Sequence, residues 1–91
     1  MKFEYDYNKS CANKEKHEID FEEAKELWSD SEAVSIQAKS DTELRFALIA
    51  NLKEKIWIAF YTIRGSDIVR LISVRRAREN EERIYNESRR A

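Results

Sequence analysis

Ninety-one residues with 42% hydrophobic and 38% charged side chains and a formal net charge of -1 describe one globular domain with a single modest core and an ion-dense surface. A lone cysteine excludes an internal disulfide, and no apolar run nears the roughly 20 residues of a membrane span or the core of a signal peptide, so a cytoplasmic protein is expected. The near-neutral total hides an asymmetry: residues 1–55 carry nine lysines or arginines against thirteen acidic residues, and residues 56–91 carry eight against five.

Phe3, Tyr5 and Tyr7 alternate with Glu4 and Asp6, the period of a short half-buried edge strand. Asn8 caps a predicted first helix, Lys9 to Lys16, which is polar apart from Cys11 and Ala12 and so depends on tertiary support. Asp20-Phe21-Glu22-Glu23 has the spacing of a reciprocal capping box, and Phe21, Ala24, Leu27 and Trp28 recur at helical intervals, predicting a second helix over Phe21 to Trp28. Beyond Ser29-Asp30-Ser31 the period becomes that of strands: Ala33 to Lys39, Glu43 to Leu52, Ile56 to Ile63 and Ile68 to Val74. The polar turns between them, Ser40-Asp41-Thr42, Lys53-Glu54-Lys55 and Arg64 to Asp67, are short enough to make antiparallel neighbours. The only glycine, Gly65, lies in the last turn, where a positive φ eases the reversal.

The last two strands are apolar on both alternating faces. Ile56, Ile58 and Phe60 oppose Trp57, Ala59, Tyr61 and Ile63, while Ile68, Ile72 and Val74 oppose Val69 and Leu71. One sheet face then takes the helices, and the other is expected to meet something besides water. From about Arg75 helical spacing returns. Glu79 with Arg83 and Arg83 with Glu87 stand four residues apart, and Ala77, Ile84 and Tyr85 form a thin apolar stripe that packs lightly. The sum is an α+β fold: a short N-terminal strand, two N-terminal helices, a four-stranded antiparallel meander and a C-terminal helix, in a single domain over residues 1–91.

Every lysine lies in the first part of the chain and every arginine except Arg45 in the second. Guanidinium forks grip phosphate oxygens in pairs, so an anionic partner is expected on the C-terminal side, with Arg83, Arg89 and Arg90 reading instead as decoration of a solvated helix. Arg70 is the one charge inside an otherwise apolar strand, which requires a carboxylate partner or a wet cleft. Arg64 precedes that strand and Arg75 and Arg76 follow it, so several guanidiniums are expected to converge at one end of the sheet, where they would bind phosphate. Strict alternation puts Arg75 and Arg76 on opposite faces, only one of them beside Arg70. The competing reading makes these arginines salt-bridge partners of the acidic groups.

RNA cleavage by a 2′-hydroxyl asks for a base, for cations around the phosphorane and for an acid on the leaving oxygen. His17, the sole histidine, suits either proton role near neutrality, or else caps a turn. Tyr61 and Tyr85 are further acid or base candidates and platforms for stacked bases, or else core residues. One cysteine and one histidine cannot build a structural zinc site, and no glycine-rich phosphate loop or Gly-x-Ser-x-Gly elbow occurs, so neither metal nor nucleotide cofactor is expected.

Phe3-Glu4-Tyr5-Asp6, Asn8-Lys9, and Lys16-His17 leading into Ile19-Asp20-Phe21-Glu22-Glu23-Ala24 resemble the opening of the BrnT family of bacterial toxins. Phe60-Tyr61-Thr62, Arg64-Gly65, the run Arg70-Leu71-Ile72-Ser73-Val74-Arg75-Arg76-Ala77 and Glu82-Arg83-Ile84-Tyr85 resemble its second half, so that the likeness covers nearly the whole chain. The resemblance implies a RelE-like ribonuclease fold and a toxin of a type II toxin-antitoxin pair. It further implies a BrnA-like ribbon-helix-helix antitoxin as partner, DNA contact only through that antitoxin, no membrane, and an RNA substrate met free or on the ribosome. His17, Arg64, Arg70, Arg75 and Arg76 are then the expected catalytic group, with Tyr61, Arg78 and Tyr85 as RNA contacts. Two departures stand out: Glu18 occupies a position where the family often has glycine, and the net charge is low for an enzyme that approaches RNA. The alternative is a non-catalytic binding module that acts with a ribbon-helix-helix partner in operon autoregulation, or a structural domain that has lost activity.

Overall fold

A computed structural model describes residues 1–38 and 43–89; Lys39, the predicted turn Ser40-Asp41-Thr42, and Arg90 with Ala91 lie outside the described residues. After β1 (Lys2–Glu4) the chain enters α1 (Tyr7–His17), capped by Asp6, whose carboxylate accepts from the N–H groups of Asn8 and Lys9 at 2.8 and 3.2 Å. The cap lies two residues before the predicted Asn8, because two competent caps compete here and the aspartate adds a charge that the helix dipole favours. Tyr7 is therefore helical and exposed rather than part of a strand.

The inward face of α1 is polar. Ser10 and Asn13 are buried, whereas Cys11 and Ala12, its apolar residues, face water. Ser10 Oγ accepts from the Phe21 N–H (2.9 Å). The Asn13 amide donates to the Ile19 and Val74 carbonyls (2.7 and 2.9 Å) and accepts from the Val74 N–H (3.2 Å). A buried amide with both ends satisfied fastens a helix that has no hydrophobic stripe.

At the next corner Glu18 takes a left-handed conformation (φ 66°) and closes α1 on the Lys14 carbonyl, which is the geometry that makes glycine common after a helix. Asp20 and Glu23 then form the capping box reciprocally, at 2.7 and 3.1 Å. The predicted second helix is one α turn, α2 (Phe21–Ala24), tightening into a 3₁₀ helix over Lys25–Ser29.

Strands β2 (Val34–Ala38), β3 (Arg45–Leu52), β4 (Lys55–Arg64) and β5 (Ile68–Arg76) follow, and α3 (Glu79–Arg89) ends the chain. The sheet order is β1-β5-β4-β3-β2, with β1 parallel to β5 and the other neighbours antiparallel, so the sheet is mixed. The β3–β4 reversal is a two-residue turn in which Lys53 and Glu54 both have positive φ, a conformation that usually recruits Asn-Gly.

Between Phe60 and Tyr61 the β4–β5 register slips by one residue. Trp57 pairs with Arg76, Ala59 with Val74 and Tyr61 with Leu71, so Val74 shares a face with Leu71 and Val69. The predicted grouping of Val74 with Ile68 and Ile72 fails at this bulge, since an extra residue inverts the parity of everything beyond it.

Each face of the sheet has its own core. Phe21, Ala24 and Leu27 pack on Leu48, Ala50, Ala59, Tyr61, Val69 and Leu71 on one side. On the other, Tyr85 of α3 packs on Ala47, Ile49 and Ile58. The face expected to meet a partner is thus covered in part by the chain's own last helix. As expected, α3 packs lightly, with Tyr85 its one buried residue and Ile84 exposed; Tyr85 is 2% exposed, and its hydroxyl donates to Asp30 (2.7 Å), whose carboxylate also accepts from the N–H groups of Asn51 (2.8 Å) and Glu32 (2.9 Å). No helix among the described residues is long and apolar enough to cross a membrane.

Candidate nucleic-acid interface

The Asn13 anchor determines where His17 lies. His17 stands four residues further along α1, on the same helical face, and so comes to rest against the end of β5 that Asn13 grips. Past Arg70, β5 has no β1 neighbour, so Asn13 occupies the edge that β1 leaves open. The result is an open cleft of about 570 Å³ lined by His17, Arg75, Arg76 and Arg78. Lys16, Glu15 and Glu18 complete its rim, so cations outnumber carboxylates.

The three arginines are held differently. Arg75 lies over the Phe60 ring, 5.5 Å from its centroid, and makes a bidentate pair with Glu81, both bonds 2.8 Å. Glu81 also accepts from the Arg78 N–H (2.7 Å), closing the first turn of α3. The Arg75 guanidinium, followed by burial acting the other way and by the Arg78 N–H, leaves the Glu81 carboxyl below its usual range. Arg76, on the opposite face, lies over Trp57 at 5.5 Å. Neither Arg76 nor Arg78 has a carboxylate partner for its guanidinium among the described residues. Both faces of β5 reach the cleft because it sits at the strand's end, where Arg75 and Arg76 splay to either side of it.

Arg64 and Arg70 form a separate group. Arg70 shares a face with Arg75 rather than Arg76, because of the bulge, but stands five residues away along the strand, roughly 16 Å. Its guanidinium reaches Glu4 Oε2 at 2.7 Å, and Arg64 reaches the same oxygen at 3.5 Å. The single convergence of arginines expected from the sequence is therefore divided, with His17, Arg75, Arg76 and Arg78 at one end of β5 and Arg64 with Arg70 at the other.

Tyr61 and Tyr85 lie outside the cleft. Tyr61 is buried with its hydroxyl on Ser35 Oγ (2.7 Å) and its ring against Trp28 and Phe46. Burial, with Asp30 accepting its hydrogen bond, pushes the Tyr85 hydroxyl up to about 12. Asn13 and Glu81, which position the cleft, were not singled out from the sequence. The one local signal is that Asn13 precedes His17 by a helical turn.

A positive cleft with one imidazole, two unpaired guanidiniums and a third shared with a carboxylate can hold a phosphodiester and exchange a proton beside it. Among the described residues, no three His, Cys, Asp or Glu side chains are grouped to hold a metal ion. The family model described as the ribonuclease toxin BrnT of type II toxin-antitoxin systems matches residues 5–81. The crystal structure of the Brucella abortus ribonuclease toxin BrnT is similar, with a TM-score of 0.68 and 27% sequence identity, over 87% of this chain and 99% of that one. No curated protein sequence matches this chain.

Proposed function

Because the chain belongs to the BrnT family of ribonuclease toxins of type II toxin-antitoxin systems, we propose that it cleaves RNA at the His17 cleft without a metal ion, and that cleavage arrests translation and growth. The 2′-hydroxyl gives its proton to His17, and its oxygen attacks the adjacent phosphorus in line. Arg76 and Arg78 stabilise the charge on the phosphorane. The 5′ oxygen departs and takes a proton from water, and the hydroxide so formed takes up the proton held by His17, leaving a 2′,3′-cyclic phosphate and the base restored. Arg75, half committed to Glu81, adds charge and holds the cleft's outer wall. Glu4 occupies Arg64 and Arg70, so we give them no catalytic part, and we read Tyr61 and Tyr85 as structural. We also read the architecture as RelE-like and the compartment as the cytoplasm.

The observation that carries this reading is the meeting of the sole histidine with Arg75, Arg76 and Arg78 at one cleft. Induction in a bacterial host should stop growth, and Arg76→Ala or His17→Ala should relieve the arrest by lowering RNA cleavage at least about a hundredfold, with the circular dichroism of a folded chain retained. Indifference of growth to the wild-type chain, with RNA uncut by the purified protein, would overturn it.

The cognate partner in this reading is a BrnA-like ribbon-helix-helix antitoxin that covers the cleft. The alternative function, a binding module working with that partner in operon autoregulation, draws on the exposed apolar side chains Ile36, Leu44 and Ile84. It gains if the chain forms the complex yet cuts nothing.

A further inference from the structure

Beside the cationic cleft, and sharing Glu18 with it, lies a more enclosed cavity of about 390 Å³ between the α1–α2 corner and the β3–β4 turn. Trp57, Ile19 and Leu52 give it an apolar lining. Glu18, Glu23 and Glu26 stand on the helical side, with Glu23 engaged by Lys14 and the Asp20 N–H, and Lys53 and Lys55 stand on the hairpin side. Trp57 is fixed by its N–H on the Leu52 carbonyl (3.4 Å) and by the Arg76 guanidinium over its ring, so one residue of the cleft also borders this lining. Glu18 and Lys53 are two of the three non-glycine residues with positive φ among those described. Backbone conformations that side chains rarely adopt gather at working surfaces.

We infer that this cavity is a base-reading subsite and that the base is guanine. The inference rests on the reading of the neighbouring cleft as an RNA site, and names what that site selects. The volume accommodates a nucleoside, and the part of the indole that stays exposed, 9% of Trp57, borders it. Neither Glu18 nor Glu26 makes an ion pair or side-chain hydrogen bond among the described residues. A carboxylate accepts hydrogen bonds and donates none.

Guanine alone among the RNA bases presents two adjacent donors on one edge, N1–H and the N2 amino group, which match one carboxylate. Its other edge presents two acceptors, O6 and N7, which match a lysine. Adenine and cytosine set a lone-pair nitrogen beside their amino group, and uracil brackets its single N–H with carbonyls, so each turns negative charge toward Glu18 or Glu26. The same carboxylates repel phosphate, which stays in the cleft across Glu18 while the base enters the cavity.

The test follows the Trp57 indole N–H resonance of the whole chain during titration with each of the four nucleoside 3′-monophosphates and with guanosine alone. Trp28, packed between Phe3 and Tyr61, is the internal control. Guanosine 3′-monophosphate should move Trp57 and leave Trp28 in place, binding about tenfold or more tightly than the other three. Glu18→Gln with Glu26→Gln, both exposed positions, should erase that preference. A silent Trp57, equal shifts from all four nucleotides, or a preference unchanged in the double variant would overturn the assignment. The readout needs no cleavage: guanosine, which lacks a phosphate, reports on the cavity even if the cleft proves inert, so the two readings fail separately.

Discussion

Asn13→Ala should do more damage than any surface substitution in α1. The side chain makes three hydrogen bonds, to both backbone groups of Val74 and to the Ile19 carbonyl, at 7% exposure. Alanine strands two carbonyls and one N–H in a site too buried for free access of water. Each orphaned group costs about 1 to 1.5 kcal/mol at the lower end of the usual range, so the sum is about 4 kcal/mol. A 91-residue domain at ~0.1 kcal/mol per residue holds about 9 kcal/mol in total, so nearly half would be lost. With a urea m-value of ~1.5 kcal/mol/M, the unfolding midpoint should drop by about 3 M with the slope unchanged. Because Asn13 also sets the distance from His17 to β5, RNA cleavage by the folded fraction should fall as well, whereas a mutation that is merely destabilising spares it. Asn13→Asp, which keeps the acceptor for Val74 but turns a carboxylate toward two carbonyls, should be no better than alanine. A midpoint shift below about 0.7 M for Asn13→Ala would refute the reasoning, since water or a neighbour would then be satisfying those groups.

Glu18→Gly should stabilise the protein by about 0.5 to 1 kcal/mol, because glycine accepts the left-handed conformation that glutamate holds under strain; a thermal midpoint that fails to rise by a few degrees would count against it. Tyr85 has a folded pKa of about 12 against the ordinary 10.0, so its contribution is fully present below pH 10 and is lost as pH rises from 10 to 12, by about 3 kcal/mol. In Tyr85→Phe that alkaline loss, followed by urea midpoints, should disappear. Burial pushes Asp30 up, but the hydrogen bonds from Asn51, Tyr85 and Glu32 outweigh it, and Glu81 is likewise depressed. Both therefore stabilise the fold above about pH 4.5 and lose that contribution as the pH falls through their folded values, so acid titration should weaken α3 docking first, read as Tyr85 amide exchange. Arg75→Ala should cost about 2 kcal/mol, since it breaks a bidentate pair whose side chains are 22% and 13% exposed, whereas Arg78→Ala should stay within about 0.5 kcal/mol. The opposite order in urea midpoints would show that Glu81 does not hold Arg75.

Periodicity and capping chemistry were enough to identify β3, β4 and β5, the Asp20–Glu23 box and the terminal helix, because each depends on neighbours a few residues apart. The same local signals named His17 and the arginines after β5, since a histidine and a run of guanidiniums are conspicuous wherever the chain puts them. They placed α1 but were silent on how it docks: its buried face is Ser10 and Asn13 rather than Cys11 and Ala12. That helix docks through hydrogen bonds to backbone 61 residues away, and polar docking leaves no apolar period to read. They also misjudged which arginines stand together. A one-residue slip between Phe60 and Tyr61 reverses the parity of β5 beyond it, and Glu4, delivered by a parallel strand from the other end of the chain, claims Arg64 and Arg70. Chemical identity and local period are written along the chain. Which charges share a cleft depends on register and on contacts between residues distant in sequence, and those exist only once the sheet has formed.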